Sequence, residues 1–252
     1  MQALIDYIED GDNLDRLLAR NGRPASFGIS GRIGSESVPG MGRNQWADCA
    51  GICTWTAKVG FGALSALQAT SNLRPTYVTN VQNGKPVVRF SGANGVLLES
   101  TETINMSTPN TIIVVAKDNG TSQVFGGVFS LELYMSVFSG GSYYWLDTSG
   151  GNVAACTVPA TNVFRVITAQ YTQNSTTNSK VFYNGTLYSS SSNGSGNTSA
   201  GLGRVELGGR AWGGNASRIF KGDIAEVIVY SRAIDDGARA QVEAYLTAKW
   251  GL

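Results

Sequence analysis

The chain offers few side chains that could do covalent chemistry, and their spacing is the first constraint on function. It has no histidine, which removes imidazole zinc sites, Ser-His-Asp triads and Cys-His dyads. Its three cysteines are Cys49, Cys53 and Cys156. An odd number closes no disulfide framework; Cys49 and Cys53 could bridge across a tight loop, but buried free thiols are the simpler reading. Retaining glycoside hydrolysis needs two carboxyl groups about 5 Å apart. The nearest acidic pair on a strand-like run is Asp223 and Glu226, and a spacing of three puts them on opposite faces of a strand. Glu132, in SLELYMS, stands alone, and Glu226 reads as a hydrogen-bonded buried or rim residue. No catalytic constellation results, and the chain is expected not to be an enzyme.

Ligand contact is a better fit. Sugar faces stack on exposed aromatic rings while Asn, Asp and backbone groups bond the hydroxyls. Trp212 lies in GGRAWGGNASR, a glycine-flanked stretch with little apolar content, so it is expected at the surface with Asn215 beside it. Tyr143 and Trp145 alternate onto one face of a strand-like run and Tyr144 onto the other; one of those faces is core, and which one stays open. Oxygen donors for a hard cation exist in Asp118 with Asn119, in Asp147 and in Asn215, but no dense D-x-D-x-D run gathers them. Turn chemistry accounts for Asp118. No cofactor is required, with calcium the alternative.

These residues must be held by β structure. Gly number 32 and charged residues only 15 % of the chain, and Ser, Thr and Asn abound, a composition of strands and turns. The run 223–230 is apolar on both faces, with Ile224, Ile228 and Tyr230 on one and Ala225, Val227 and Val229 on the other. A capped helix follows. Ile234 is its staple, Asp235 its N-cap, and Ala238, Val242, Leu246 and Trp250 its stripe, with Gly251 as the C-cap glycine. Such a pair suits a two-sheet sandwich with a helix plugging one end. Asn83-Gly84, Asn119-Gly120 and Asn184-Gly185 mark turns. The run 189–199, SSSSNGSGNTS, reads as a connector.

The chain divides at residue 45. Residues 1–20 read as two short helical pieces, the first with Leu4, Ile5 and Ile8 on one side, the second with Leu14, Leu17 and Leu18. Residues 21–45 are rich in Gly and Pro and read as an extended arm. The apolar stripe either packs on the β domain or docks onto a partner. Residues 46–252 are the β domain, with Trp46, Trp55 and Trp250 assigned to packing. The net charge is +1 with no basic patch, which argues against nucleic acid. No run approaches the ~20 apolar residues of a membrane span. Asp6, Glu9, Asp10 and Asp12 stand where a signal peptide would be basic and apolar.

Three blocks carry a family resemblance. LGGRAWGGNASRIFKGDIAEVIVYSRAIDDGARAQVEAYLTAKWGL (207–252) resembles the closing segment of concanavalin A-like, laminin-G-like jelly-roll domains. ALQATSNLRPTYVTNVQNGKPVVRFSGANGVLL (66–98) resembles the family's opening block, and VFRVITAQYTQNSTTNSKVFYNGTLY (163–188) its Y-v-N-G hairpin. The resemblance implies an all-β jelly-roll sandwich of two antiparallel sheets over residues 46–252. The family's glucanases carry E-x-D-x-E or E-x-D-x-x-E on one strand face; this chain does not. Many relatives bind calcium on the sandwich rim. Because the fold hosts lectins, glucanases and interaction modules, the expectation is a non-enzymatic virion accessory protein of a phage: a capsid decoration, head fibre or tail-tip protein. Its sandwich would meet a cell-surface glycan through Trp212, Asn215, Tyr143 and Trp145. Leu4, Ile8, Leu14, Leu17 and Leu18 would serve docking to a capsid or other virion protein, or homo-oligomerisation. The alternatives are a bacterial carbohydrate-binding module, a cytoplasmic protein and, further off, a glycoside hydrolase.

Overall fold

One long strand, β18 (Lys221–Tyr230), organises the molecule. The computed structural model describes residues 66–100, 111–119, 162–170, 180–188, 205–209, 219–230 and 233–252 in full, and elsewhere only the backbone of the strands named below. The first sheet places β18 between β7 (Asn110–Asp118) and β5 (Lys85–Ser91). Beyond β7 come β12 (Arg165–Tyr171), β13 (Lys180–Tyr183) and β14 (Thr186–Ser189); beyond β5 comes β4 (Thr76–Gln82). The second sheet runs in the order β11 (Gly151–Thr157), β10 (Tyr143–Thr148), β9 (Leu133–Phe138), β8 (Phe125–Leu131), β15 (Leu202–Leu207), β6 (Leu98–Asn105), β3 (Ser65–Leu67), β2 (Thr54–Thr56). All its pairings are antiparallel.

The doubly apolar run is doubly covered. Helix α1 (Asp236–Trp250) lays Val242, Leu246 and Trp250 on Val87, Ile113, Val115, Val166, Ile228 and Tyr230. It therefore lies across the outer face of the first sheet, where the sequence pattern had suggested a plug at one end. Each such apolar side chain contributes about 1.5–3 kcal/mol by leaving water. The caps are as read from the sequence. Asp235 accepts from the Ala238 amide at 2.8 Å, and Gly251 takes the left-handed conformation at φ 65°. On the opposite face, Val88, Phe90, Leu98 and Leu207 are fully buried between the sheets.

The expected alternation along β18 breaks at one place. A register shift between Ile224 and Glu226 against β7 marks a bulge, and Ala225, not Ile224, joins Ile228 and Tyr230 under the helix. A bulge inserts one residue and so reverses the faces of everything before it. Asp223 consequently shares the helix side of the sheet with Glu226, contrary to the opposite-face reading.

Two of the three Asn-Gly pairs close hairpins. Asn83-Gly84 joins β4 to β5 and Asn184-Gly185 joins β13 to β14, with positive φ at all four residues (48°, 70°, 46°, 81°) as a type I′ turn requires. Asn119 instead follows β7 and donates its amide to the Lys221 carbonyl at 3.0 Å; Gly120 lies outside the described residues, as does 190–201. The N-terminal segment corrects the helical reading where it is described. Ile5–Ile8 is a strand, β1, pairing parallel with Val227–Tyr230. IDYI is β-branched and aromatic at three of four positions, and an open strand edge supplies the hydrogen bonds that outweigh a weak helical stripe. Leu4, Leu14, Leu17 and Leu18 lie outside the described residues.

Candidate functional site

Register across the second sheet lines up a polar row that no single strand reveals. Leu98 pairs with Leu207 on the core side. The next pair, Glu99 with Glu206, therefore falls on the opposite face, because successive residues of a strand alternate. Register then extends the row strand by strand: Glu206 faces Ser130, Ser130 faces Tyr134, Tyr134 faces Asp147, and Asp147 faces Asn152. Tyr143 and Trp145 precede Asp147 by four and two residues in regular pairing with β9, so the backbone places all three on that same face. By register these positions fall in line with Glu206.

The Glu99–Glu206 pair also changes the carboxylate argument. Regular alternation along a strand predicts no two acids on one face. Pairing across strands does, and directly opposed residues have Cβ atoms about 4.5–5.5 Å apart. Glu206 is 7 % exposed and Glu99 half-buried. The sequence holds no signal for this pair, since 107 positions separate its members.

Trp212 and Asn215 lie on a hairpin rather than in a loop. Arg210–Trp212 (β16) pairs with Asn215–Ser217 (β17), and Trp212 faces Asn215 in register. The base of this hairpin is rigid. Gly208 has φ +78°, its carbonyl accepts from the Phe220 amide at 2.9 Å, and a Cβ there would sit 2.0 Å from the Phe90 ring. Phe90 and Phe220 meet edge to face at 6.2 Å. Gly208, one of the glycines that suggested a loop, is thus demanded by close packing. The hairpin adjoins β15 and β8. β10 lies two strands beyond β8, about 10 Å away at normal strand spacing. The two aromatic groups thus border one sheet without touching through neighbouring strands.

The acids of the first sheet and of α1 are engaged structurally. Asp223, fully buried, accepts from Arg89 Nε at 2.6 Å and Nη2 at 2.9 Å, and pairs with Lys117 at 3.1 Å. The bond to that carboxylate raises Arg89 above its ordinary value. Glu226, 1 % exposed, accepts from Lys249 Nζ at 2.8 Å and the Trp250 indole at 2.6 Å. It pins the helix end, in keeping with its reading as a buried hydrogen-bonded residue. Glu243 accepts from Thr168 Oγ1 and Arg239 Nη1, both at 2.6 Å. Burial pushes its carboxyl up, against the pull of those two donors. Although the bulge puts Asp223 and Glu226 on one side, each is held by its own partners, Asp223 by Arg89 and Lys117 of the flanking strands and Glu226 by Lys249 and Trp250 of α1.

The proposed calcium donors are scattered. Asp118 is buried at the end of β7, its carbonyl accepting from the Asn162 amide at 2.9 Å. Asp147 is in the second sheet and Asn215 in the hairpin. Among the described residues no cluster of three potential ligands exists.

Comparison with known proteins places this architecture. No curated protein matches the chain. Among solved structures, a heptameric SAP-like pentraxin from Limulus polyphemus aligns with TM-score 0.50 at 15 % identity, over 62 % of this chain and 80 % of its own. A mutant Trypanosoma rangeli sialidase aligns with TM-score 0.52 at 10 % identity, over 74 % of this chain but 30 % of the sialidase. The CBM40 domain of a Ruminococcus gnavus sialidase, bound to α2,3-sialyllactose, aligns with TM-score 0.43 at 18 % identity, over 66 % of this chain and 99 % of its own. At these identities the likeness concerns the fold. The family model for the concanavalin A-like lectin/glucanase superfamily matches residues 90–237, from β5 to the first turn of α1. With more than half its length matched and both sheets in place, the chain belongs to the concanavalin A-like lectin/glucanase superfamily.

Proposed function

We propose that this chain is a non-hydrolytic, lectin-like binding protein that presents the outward face of its second sheet to a glycan. The carrying observation is the register row, which aligns Tyr143, Trp145 and Asp147 with Tyr134 and Ser130 on one side of the sheet. Aromatic rings for stacking and short polar groups for hydroxyls are what sugar recognition needs. The Trp212–Asn215 hairpin borders the same sheet and supplies a second contact. Individual sugar sites are weak, so display in many copies, as on a phage virion, would supply avidity through effective concentration. Residues 1–45 would join the copies or attach them to a capsid or tail partner.

Glycan-array binding by the full chain tests this reading. Trp145→Ala should weaken binding roughly 3–10-fold, the worth of one aromatic contact, with an unchanged melting temperature. Undiminished binding by both Trp145→Ala and Trp212→Ala would place the site elsewhere.

A hydrolytic reading has one observation in its favour, the Glu99–Glu206 pair, whose cross-strand spacing is compatible with retaining geometry. Release of reducing ends from any bound glycan, abolished by Glu206→Gln or Glu99→Gln, would establish it in place of simple binding.

A further inference from the structure

Two hairpins of the first sheet turn on the same dipeptide, yet use its side chain in opposite senses. Asn83-Gly84 and Asn184-Gly185 both have positive φ, and all four residues are exposed. Asn83 is a donor. Its Nδ2 gives a hydrogen bond to the Lys249 carbonyl at 3.0 Å, in the last turn of α1. Asn184 is an acceptor. Its Oδ1 receives the Val166 amide at 3.0 Å, and its own backbone amide donates to the Val166 carbonyl at 2.8 Å. A backbone carbonyl only accepts and a backbone amide only donates, so each partner fixes which end of the side-chain amide faces it.

The last carbonyls of a helix have no partner within it. Here the β4–β5 hairpin supplies two donors, because Gln82 Nε2 reaches the Trp250 carbonyl at 2.8 Å beside the Asn83 bond. Asn83 also packs on the C-cap glycine: a Cβ on Gly251 would stand 3.3 Å from its Cγ. Trp250 is 3 % exposed and belongs to the cluster beneath the helix. Gln82 and Asn83 together hold the end of α1 on the sheet.

Asparagine followed by glycine carries a reaction of its own, since a successor without a side chain leaves its nitrogen open to attack the asparagine amide. The Gly84 nitrogen bonds to Asn83 Cγ and gives up its proton. The Cγ–Nδ2 bond breaks, ammonia leaves, and a five-membered imide closes. Water opens the imide at one of its two carbonyls, giving aspartate or isoaspartate. Water is the only co-reactant. Pairing here joins the outer turn residues, Gln82 and Lys85, and leaves the Gly84 nitrogen out of the ladder.

We propose that Asn83 is a site of spontaneous deamidation whose product releases the last turn of α1. Either product replaces the NH2 donor by a carboxylate, which only accepts. That carboxylate opposes the Lys249 carbonyl oxygen at the negative end of the helix dipole. The same reaction at Asn184 keeps an acceptor for Val166. Asn94-Gly95 lies between β5 and β6, in a turn closed by the Val96 amide on the Ala93 carbonyl, and serves as a control.

The test ages the full chain in mildly alkaline buffer for the time in which a synthetic peptide of residues 79–88 converts completely. Peptide mass spectrometry should find the amide-to-acid mass gain at Asn83. Asn83→Asp, made directly, should speed hydrogen exchange of the amides of residues 247–252 roughly 3–10-fold, the worth of one hydrogen bond. Asn184→Asp and Asn94→Asp should leave that exchange unchanged. Aged chains carrying the modification at Asn83 should show the same acceleration, which keeps the reading independent of how well the variant folds. No conversion at Asn83 overturns the proposal. So does exchange in Asn83→Asp and in the aged chain no faster than in Asn184→Asp; the end of α1 would then be held without this bond.

Discussion

The two sheets treat acidic residues in opposite ways. In the first and the helix that covers it, Asp223 and Glu226 of β18 and Glu243 of α1 are buried, and each accepts hydrogen bonds from neighbouring side chains. In the second, Glu99, Glu206 and Asp147 line up on the side away from the core with Ser130, Tyr134 and Asn152. Residue type is the same; what differs is that cations and the α1 indole meet the acids of the first sheet, whereas in the second, where Glu206 is itself buried, register sets one carboxylate opposite another. A sheet covered on both sides must use its charges to satisfy one another, because an unpaired buried charge costs several kcal/mol.

The sharpest way to break this contrast is to remove the layer. Trp250→Ala should destabilise by about 3–5 kcal/mol, through lost burial and a lost donor to Glu226. Urea unfolding measures it. Glycan affinity per folded molecule should be unaffected; a parallel loss would mean that the sheets are not functionally separate. Gly208→Ala comes next. The added carbon meets Phe90 at 2.0 Å and forces an alanine to φ +78°. Overpacking and left-handed strain together predict about 2–4 kcal/mol, read as a fall in the urea midpoint. A negligible effect would mean that the base of the Trp212 hairpin is not fixed by this contact.

A smaller effect sharpens the account of the covered face. Glu243 has its carboxyl raised above the ordinary 4.5 chiefly by burial. The folded state then holds that proton more tightly than the unfolded state. The stability tied to this protonation is full below pH 4.5 and is lost as pH rises through the higher folded value. The stability of the native chain minus that of Glu243→Gln should therefore decline from pH 4 toward neutrality. A difference that grows instead would show Arg239 and Thr168 outweighing burial. The smallest structural effect is expected at Trp212→Ala. Unfolding free energy should change by less than about 0.5 kcal/mol, as for surface positions, while glycan or partner binding weakens. A large drop in melting temperature with binding unaltered would put that indole in the core.

How much could be read from the sequence follows from the range of the forces. The helix caps at Asp235 and Gly251 and the I′ turns at Asn83-Gly84 and Asn184-Gly185 were legible because each is fixed within four residues. The run 223–230, with apolar residues on both faces, announced a strand with layers on both sides. The bulge in it was not legible, since inserting Ala225 depends on what β7 presents opposite. The short run Ile5–Ile8 read as helix because its real partner is β18, more than 200 positions away. The row Glu99–Glu206–Ser130–Tyr134–Asp147 was invisible for the same reason: its members come from five strands, and only register brings them abreast. The stretch around Trp212 read as a loop because of its glycines, but Gly208 marks close packing against Phe90 and Arg210–Trp212 is a strand.

The far end of α1 has a bearing on how the chain is made. Its last carbonyls are satisfied from the first hairpin of that sheet: Gln82 Nε2 donates to the Trp250 carbonyl at 2.8 Å and Asn83 Nδ2 to the Lys249 carbonyl at 3.0 Å, across sequence separations of 168 and 166. The hairpin is translated long before the helix exists. At about 5–20 residues per second, the apolar surface of β5 and β7 waits on the order of ten seconds for its cover. During that interval the growing chain presents a sticky, unlidded sheet, and the ribosome's pace together with any holdase sets the yield. Synonymous codons that slow elongation between residues 120 and 235 should lower soluble output of an otherwise unchanged protein.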